Sequence, residues 1–132
     1  MSSTGHRGHR LLPMTVILMA VIGASLPWGP CIGEEAASRP EVFNQCAVCH
    51  STDGSSGTGP TLKGLFGRQA GSVPGFRYSR AMRGAGIVWD AKALDDYLRS
   101  PQDLIPGNVM PFSGVPDSAE RAGLIAYLRS LR

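Results

Sequence analysis

Cys46-Ala47-Val48-Cys49-His50 constrains this chain more than any other feature. C-x-x-C-H is the spacing of covalent haem attachment. Two thiols about one helical turn apart can add to the two vinyl groups on one side of a porphyrin. The His that follows then presents a neutral imidazole, a good ligand for either iron oxidation state. Other uses of the motif lack support. A thioredoxin-type pair needs a βαβ setting, and none surrounds it. Structural zinc takes four ligands, but these residues supply three and no His follows His50. The remaining cysteine, Cys31, leaves an odd count, which argues against a disulfide framework.

The N-terminus has the three-part form of an export signal. Arg7 and Arg10 form the basic region, Met14–Leu26 the apolar region, and Pro27–Ser38 a more polar stretch with small residues. Cleavage after Gly33 is one candidate, and Gly23-Ala24-Ser25 marks another. A retained anchor is the rival reading. Leu11–Gly33 carries no charge, and about 20 apolar residues can span a bilayer, although Pro13, Pro27, Gly29 and Pro30 shorten the plausible helix. The expected organisation is therefore a signal peptide or uncleaved membrane anchor over 1–33 and a single haem domain over 34–132. The location follows as the periplasm, with a tether to the inner membrane by residues 11–33 in the second reading.

The formal charge is +3, from 13 Lys/Arg and 10 Asp/Glu. Two of the basic residues, Arg7 and Arg10, belong to the N-terminal segment, so the remainder is near neutral. No basic stripe or aromatic-basic interleaving is present, and nucleic acid is not an expected partner. Aromatics make up only 7% of the chain, as suits a core partly built around something other than side chains.

The pattern predicts an all-α fold with long loops. Ser38-Arg39-Pro40-Glu41 reads as the start of a first helix running to about Cys49, with Ser38 as cap and Glu41 at the capping-box position. Residues 51–79 are rich in Gly, Ser and Thr with scattered Pro, which excludes a helix or central strand over 53–60. So long an irregular stretch is uncommon in a small domain, unless it wraps a cofactor. Asp90 is placed to cap a helix reaching Ser100, where Pro101 stops it; Ala93, Leu94, Tyr97 and Leu98 share one face. A short turn is expected at Pro101–Leu104. Asp117 or Ser118 starts the last helix, whose stripe is Leu124, Ile125, Leu128 and Leu131.

The other axial ligand must come from elsewhere. Beyond the N-terminal segment only Met82 and Met110 remain as thioethers. Met110 lies in Ile105-Pro106-Gly107-Asn108-Val109-Met110-Pro111-Phe112, where Gly and two Pro impose a bent backbone that can aim a thioether inward. Met82, in a Gly/Arg-rich segment, is the alternative. His/Met ligation raises the reduction potential relative to two His and fills both axial positions. Such an iron moves an electron and does little bond chemistry. No acid/base or nucleophile constellation accompanies it, so an electron-transfer protein is expected and not an enzyme.

These residues resemble the class I c-type cytochromes, which comprise mitochondrial cytochrome c and its bacterial periplasmic relatives. The resemblance spans Glu41–Leu131. It implies the cytochrome c fold, with N- and C-terminal helices crossing near Phe43 and long loops wrapping one haem c held by Cys46 and Cys49. Gly59-Pro60-Thr61-Leu62-Lys63-Gly64-Leu65-Phe66-Gly67-Arg68 matches the family segment on the His face, which implies that the Pro60 carbonyl accepts the His50 imidazole N–H. Arg68, Tyr78 and Trp89 match positions that bind the haem propionates. Tyr97 matches the aromatic near the Met sulfur, and Phe112 the one beside the exposed haem edge. The resemblance implies a monomeric single-electron carrier. Its expected partners are redox proteins: a membrane cytochrome complex, a dehydrogenase, an oxidase or a reaction centre.

Three departures stand out. The loop from His50 to Pro60 is shorter than in the mitochondrial proteins. Met82 stands where those proteins carry an asparagine that supports a buried water. The mitochondrial ring of lysines is essentially missing, since the matching positions include Gln45, Gln102, Asp103, Val109, Pro116 and Asp117. A mostly apolar docking patch around Val109, Pro111, Phe112 and Val115 is expected in its place.

Overall fold

A computed structural model describes residues 1, 2, 5 and 37–132. The chain divides into two units, Met1–Ile32 and Gly33–Arg132, and every helix among the described residues lies in the second. The expected export or anchor segment lies outside the described residues.

The first element is a 3-10 turn, Glu41–Phe43, that continues into α1, Asn44–Ala47. It is shorter than the sequence pattern suggests, and Ser38 does not cap it. The reason is Pro40: it has no N–H to be capped, and it forces Arg39 towards extended backbone. Arg39 holds the entry instead, donating to Asn44 Oδ1 at 2.9 Å and laying its guanidinium over the Phe43 ring.

Residues 48–79 contain no helix, as their composition requires. They end in a short helix that sequence periodicity does not reveal, α2, Arg80–Gly84, capped by Ser79, whose hydroxyl accepts from Met82 N. Gly71 lets the loop cross this helix. Its φ is +71°, and a Cβ there would lie 2.8 Å from Arg83 Cα. An antiparallel bridge, Gln69 to Val88, ties the loop to the segment after α2, with Trp89 N donating to Arg68 O at 2.9 Å.

Helix α3, Ala91–Arg99, begins where Asp90 accepts from Ala93 N at 2.7 Å, as expected. Pro101 ends it but opens a further helical turn, α4, Pro101–Leu104, where a plain turn was expected. Proline suits a first helical position because its missing N–H has no partner there anyway. Helix α5, Ser118–Ser130, is capped by Asp117, which accepts from Glu120 N at 2.8 Å.

The core sits where α5 crosses the 3-10 turn and lies along α3. Phe43 and Leu124 are fully buried, and Phe43 meets Tyr127 edge-on, with centroids 4.8 Å apart. Leu94, Tyr97 and Leu98 from α3 join Leu124 and Leu128 from α5. Burial of each such side chain contributes about 1.5–3 kcal/mol. Among the described residues there is no β-strand, so the all-α expectation and the helix crossing at Phe43 hold.

Candidate functional site

The last turn of α1 sets the geometry of the motif. Cys49 N and His50 N both donate to Cys46 O, at 3.1 and 2.9 Å. The helical path thus runs on through His50 and puts both thiols and the imidazole on one side of the chain. Both cysteines are free thiols. Burial pushes the Cys46 thiol up from its ordinary value.

Two neighbouring cavities, with empty volumes of about 650 and 760 Å³, occupy the middle of the domain. They share His50, Pro60, Tyr78, Met82, Tyr97 and Met110; Cys46 lines the first and Cys49 the second. The first is also lined by Arg68, Trp89, Leu94, Leu98 and Leu128. The hydrophobic face of α3 is therefore both core and cavity wall.

The His50 ring is held from two sides. Its Nδ1 lies 2.7 Å from the Pro60 carbonyl oxygen. A carbonyl can only accept, so Nδ1 carries the proton and Nε2 keeps a free lone pair for a metal. Gly59 packs flat against the ring, and a Cβ there would lie 2.6 Å from His50 Cε1. Sequence reasoning missed Gly59, although a glycine directly before Pro60 is a visible signal of close approach.

Met110 is held as well. The Tyr97 hydroxyl is 3.4 Å from Met110 Sδ and 3.5 Å from Asn108 Oδ1. The first separation suits sulfur and the second is long for oxygen, so the one hydroxyl proton goes to the thioether. Burial pushes the Tyr97 phenol up to about 12, which keeps it a donor at every ordinary pH. Trp89 meets the Tyr97 ring edge-on at 5.0 Å.

Arg68 is half-buried at the cavity wall and donates to the carbonyls of Lys63 and Thr61, at 2.9 and 2.8 Å. Burial lowers its pKa from the ordinary value. Among the described residues no carboxylate pairs with it, so this cation is suited to an acidic group on whatever fills the cavity. Tyr78 lies on the same wall, edge-on to Phe76 at 4.8 Å.

The chain's own residues thus fit a haem: two thiols, a tautomer-fixed imidazole, the Met110 thioether and the Arg68 cation line neighbouring, largely apolar space. Phe112 differs from the rest. It is half-buried against the core and lines neither cavity. Among the described residues no cluster of three or more His, Cys, Asp or Glu could bind a metal ion.

Comparisons with known proteins agree. The family model described as Cytochrome c matches residues 40–132. A relative from Blastochloris viridis, named cytochrome c2, is 42% identical over 111 residues, covering 83% of this chain and 86% of the relative. A cytochrome c2 of Rhodomicrobium vannielii is 40% identical over 121 residues, 87% of this chain and 95% of that one. Among solved structures, cytochrome cH from Methylobacterium extorquens superposes with a TM-score of 0.64 at 37% identity, covering 67% of this chain and 90% of that chain.

Proposed function

Because this chain belongs to the cytochrome c family, we propose that Cys46 and Cys49 hold its covalent haem c and that His50 and Met110 are the two axial ligands. The protein is an electron carrier of the kind found in respiratory and photosynthetic chains. When bound, the haem supplies an iron that takes up and releases one electron between Fe(III) and Fe(II).

The residues divide the remaining work. Pro60 fixes the imidazole tautomer, and Gly59 fixes the ring plane. Tyr97 donates to the thioether and so sets which way its remaining lone pair points. Arg68, with Tyr78 and Trp89 beside it, supplies positive charge and hydrogen-bond donors for the propionates. Leu94, Leu98 and Leu128 exclude water from the wall. Filling both axial positions leaves no open site for bond chemistry, so the reading is of a carrier and not an enzyme. Localisation to the periplasm rests on the form of residues 1–33. Among the described residues no helix is long and apolar enough to cross a membrane.

Partner docking is proposed at the cavity mouth where Cys49, Val109 and Pro111 meet. Val109 is 77% exposed and Val48, next to Cys49, is 81% exposed. Val115, expected in this patch, is only 3% exposed because its N donates to Leu98 O and its side chain turns into the core. The patch is therefore Val48, Val109, Pro111 and the exposed part of Phe112. It suits a redox protein with an apolar docking face, met by a monomer of this chain. Electron-transfer rates should vary little with ionic strength; steep loss with added salt, the mark of ionic steering, contradicts this docking mode.

One observation carries the assignment: His50 and Met110 line the same cavities, each with one side-chain atom committed to a protein partner. The test is the visible and near-infrared spectrum of the oxidised holoprotein. The weak sulfur-to-iron charge-transfer band should be present, be lost in Met110→Ala and survive in Met82→Ala. The reverse pattern transfers the ligand role to Met82. Carbon monoxide binding by the reduced protein near neutral pH would overturn the closed centre.

A further inference from the structure

Two carboxamide side chains brace the segment that carries Met110. Asn108 is buried, and its amide is fully used. Its Nδ2 donates to the carbonyls of Pro101 and Ile105, both at 3.1 Å, and its Oδ1 accepts from Met110 N at 3.0 Å. That is the natural valence of an amide, and it binds the ligand's own backbone to both ends of α4. Gln102 is exposed, yet it too is engaged at both ends. Its Nε2 donates to Asn108 O at 2.9 Å, and its Oε1 accepts from Gly107 N at 3.2 Å. One side chain thus holds the Gly107 N–H and the Asn108 carbonyl, the two backbone groups that flank the Gly107–Asn108 peptide. It does so at the point where Gly107 turns the chain with φ +84°.

We infer that Gln102 is a positioning residue for Met110, a latch whose pair of hydrogen bonds sets how often the thioether leaves the iron. The inference rests on Met110 being an axial ligand. Met110 can leave only if its loop swings away from α4. The Gln102 bonds lie across that motion, and they are lost in the open form. In sequence Gln102 is marked only by the lysine it lacks. The structure gives it a job that needs both a donor and an acceptor, which an ammonium group cannot do.

The consequence is measurable without any redox partner. An external ligand such as imidazole binds ferric haem only when Met110 has left, so its apparent affinity scales with the open fraction. Removing one or two solvent-exposed hydrogen bonds raises that fraction about tenfold. The experiment is imidazole titration of the oxidised holoprotein for the parent, Gln102→Leu, Gln102→Ala and the neighbouring control Asp103→Asn. Both Gln102 variants should keep the charge-transfer band in buffer and bind imidazole about tenfold more tightly, while Asp103→Asn matches the parent. Gln102→Ala guards against a packing effect particular to leucine. Unchanged imidazole affinity in both Gln102 variants overturns the latch, and so does an equal shift in Asp103→Asn. A parent protein with no charge-transfer band fails the Met110 assignment itself, and the latch falls with it.

Discussion

Arg121 Nε donates to Asp95 Oδ1 at 2.8 Å, joining α5 to α3 through a guanidinium that is itself buried. The same side chain donates through Nη1 to the carbonyls of Val115 and Pro116, at 2.9 and 2.8 Å. One residue therefore fastens the end of the Met110 segment to both long helices. Gly114, just before, packs so closely on α3 that a Cβ would lie 2.3 Å from Arg99 O.

Arg121→Ala should be among the more damaging single changes outside the haem pocket. It strands two carbonyls and takes from the Asp95 carboxylate its closer cation, leaving only Arg99 at 3.9 Å. Because Asp95 is about a third exposed, water recovers part of that loss, and the expected cost is about 2–4 kcal/mol. Asp95→Asn keeps an acceptor in place and should cost about 1 kcal/mol or less. Urea unfolding of the two holoprotein variants checks the order; equal effects would show that the carbonyl bonds contribute little.

Gly59→Ala tests the packing under the imidazole. The backbone tolerates alanine, but the new methyl would lie 2.6 Å from His50 Cε1. The ring is pinned by Pro60 and by its own short tether to Cys49, so it cannot swing away freely. Overpacking of this kind costs about 1–3 kcal/mol, and some of it should appear as a tilted or weakened His50 ligand. The readouts are the unfolding midpoint and the haem absorption spectrum. A variant matching the parent in both would mean that the ring has more room than the close approach implies.

Met82→Asn should lower the reduction potential. Met82 lines both cavities beside Tyr97 and Met110 and presents an apolar thioether there. An amide, or a water that it holds, stabilises the more highly charged oxidised iron relative to the reduced one. Protein-film or solution voltammetry decides. An equal or higher potential in Met82→Asn refutes the argument.

Asp53 gives the molecule an acid-sensitive loop. Its Oδ1 accepts from Ser55 N at 2.8 Å and from Ser55 Oγ at 2.7 Å. These side-chain and backbone bonds hold the carboxyl at about 2, below its ordinary 3.8. The folded pKa is depressed, so the stabilisation is present above about pH 4 and is lost as pH falls towards 2. NMR titration of the Asp53 carboxyl should show a midpoint of about 2 in the parent and a rise in Ser55→Ala. A parent midpoint near the ordinary 3.8 would remove the turn from the loop's energetics.

Much of the site is legible in the sequence because its signals are local. The two thiols and His50 are spaced by a helical turn, and Asp90 and Asp117 cap helices whose first N–H groups lie three residues away. Met110 follows from its Gly/Pro-bent loop, and Pro60, Arg68, Tyr78, Trp89 and Tyr97 from the family resemblance; the fold brings all of them to the cavity walls. Phe112, which follows from the same resemblance, lines neither cavity. Ser38 does not cap because Pro40 moves the helix start, and α2 is hidden in a Gly/Arg-rich stretch without an apolar stripe.

The sequence by itself determined the haem attachment, the helical fold class and the two long-helix boundaries, since each depends on neighbours a few residues apart. Only the tertiary structure decided what the long-range partners do. It buried Val115 out of the expected docking patch, sank Arg121 between two helices, and closed Gln102 and Asn108 around the Met110 loop. Their residue types alone read as surface or turn. A polar or apolar side chain has no burial or partner until distant segments meet, so those roles arise only from the packed chain.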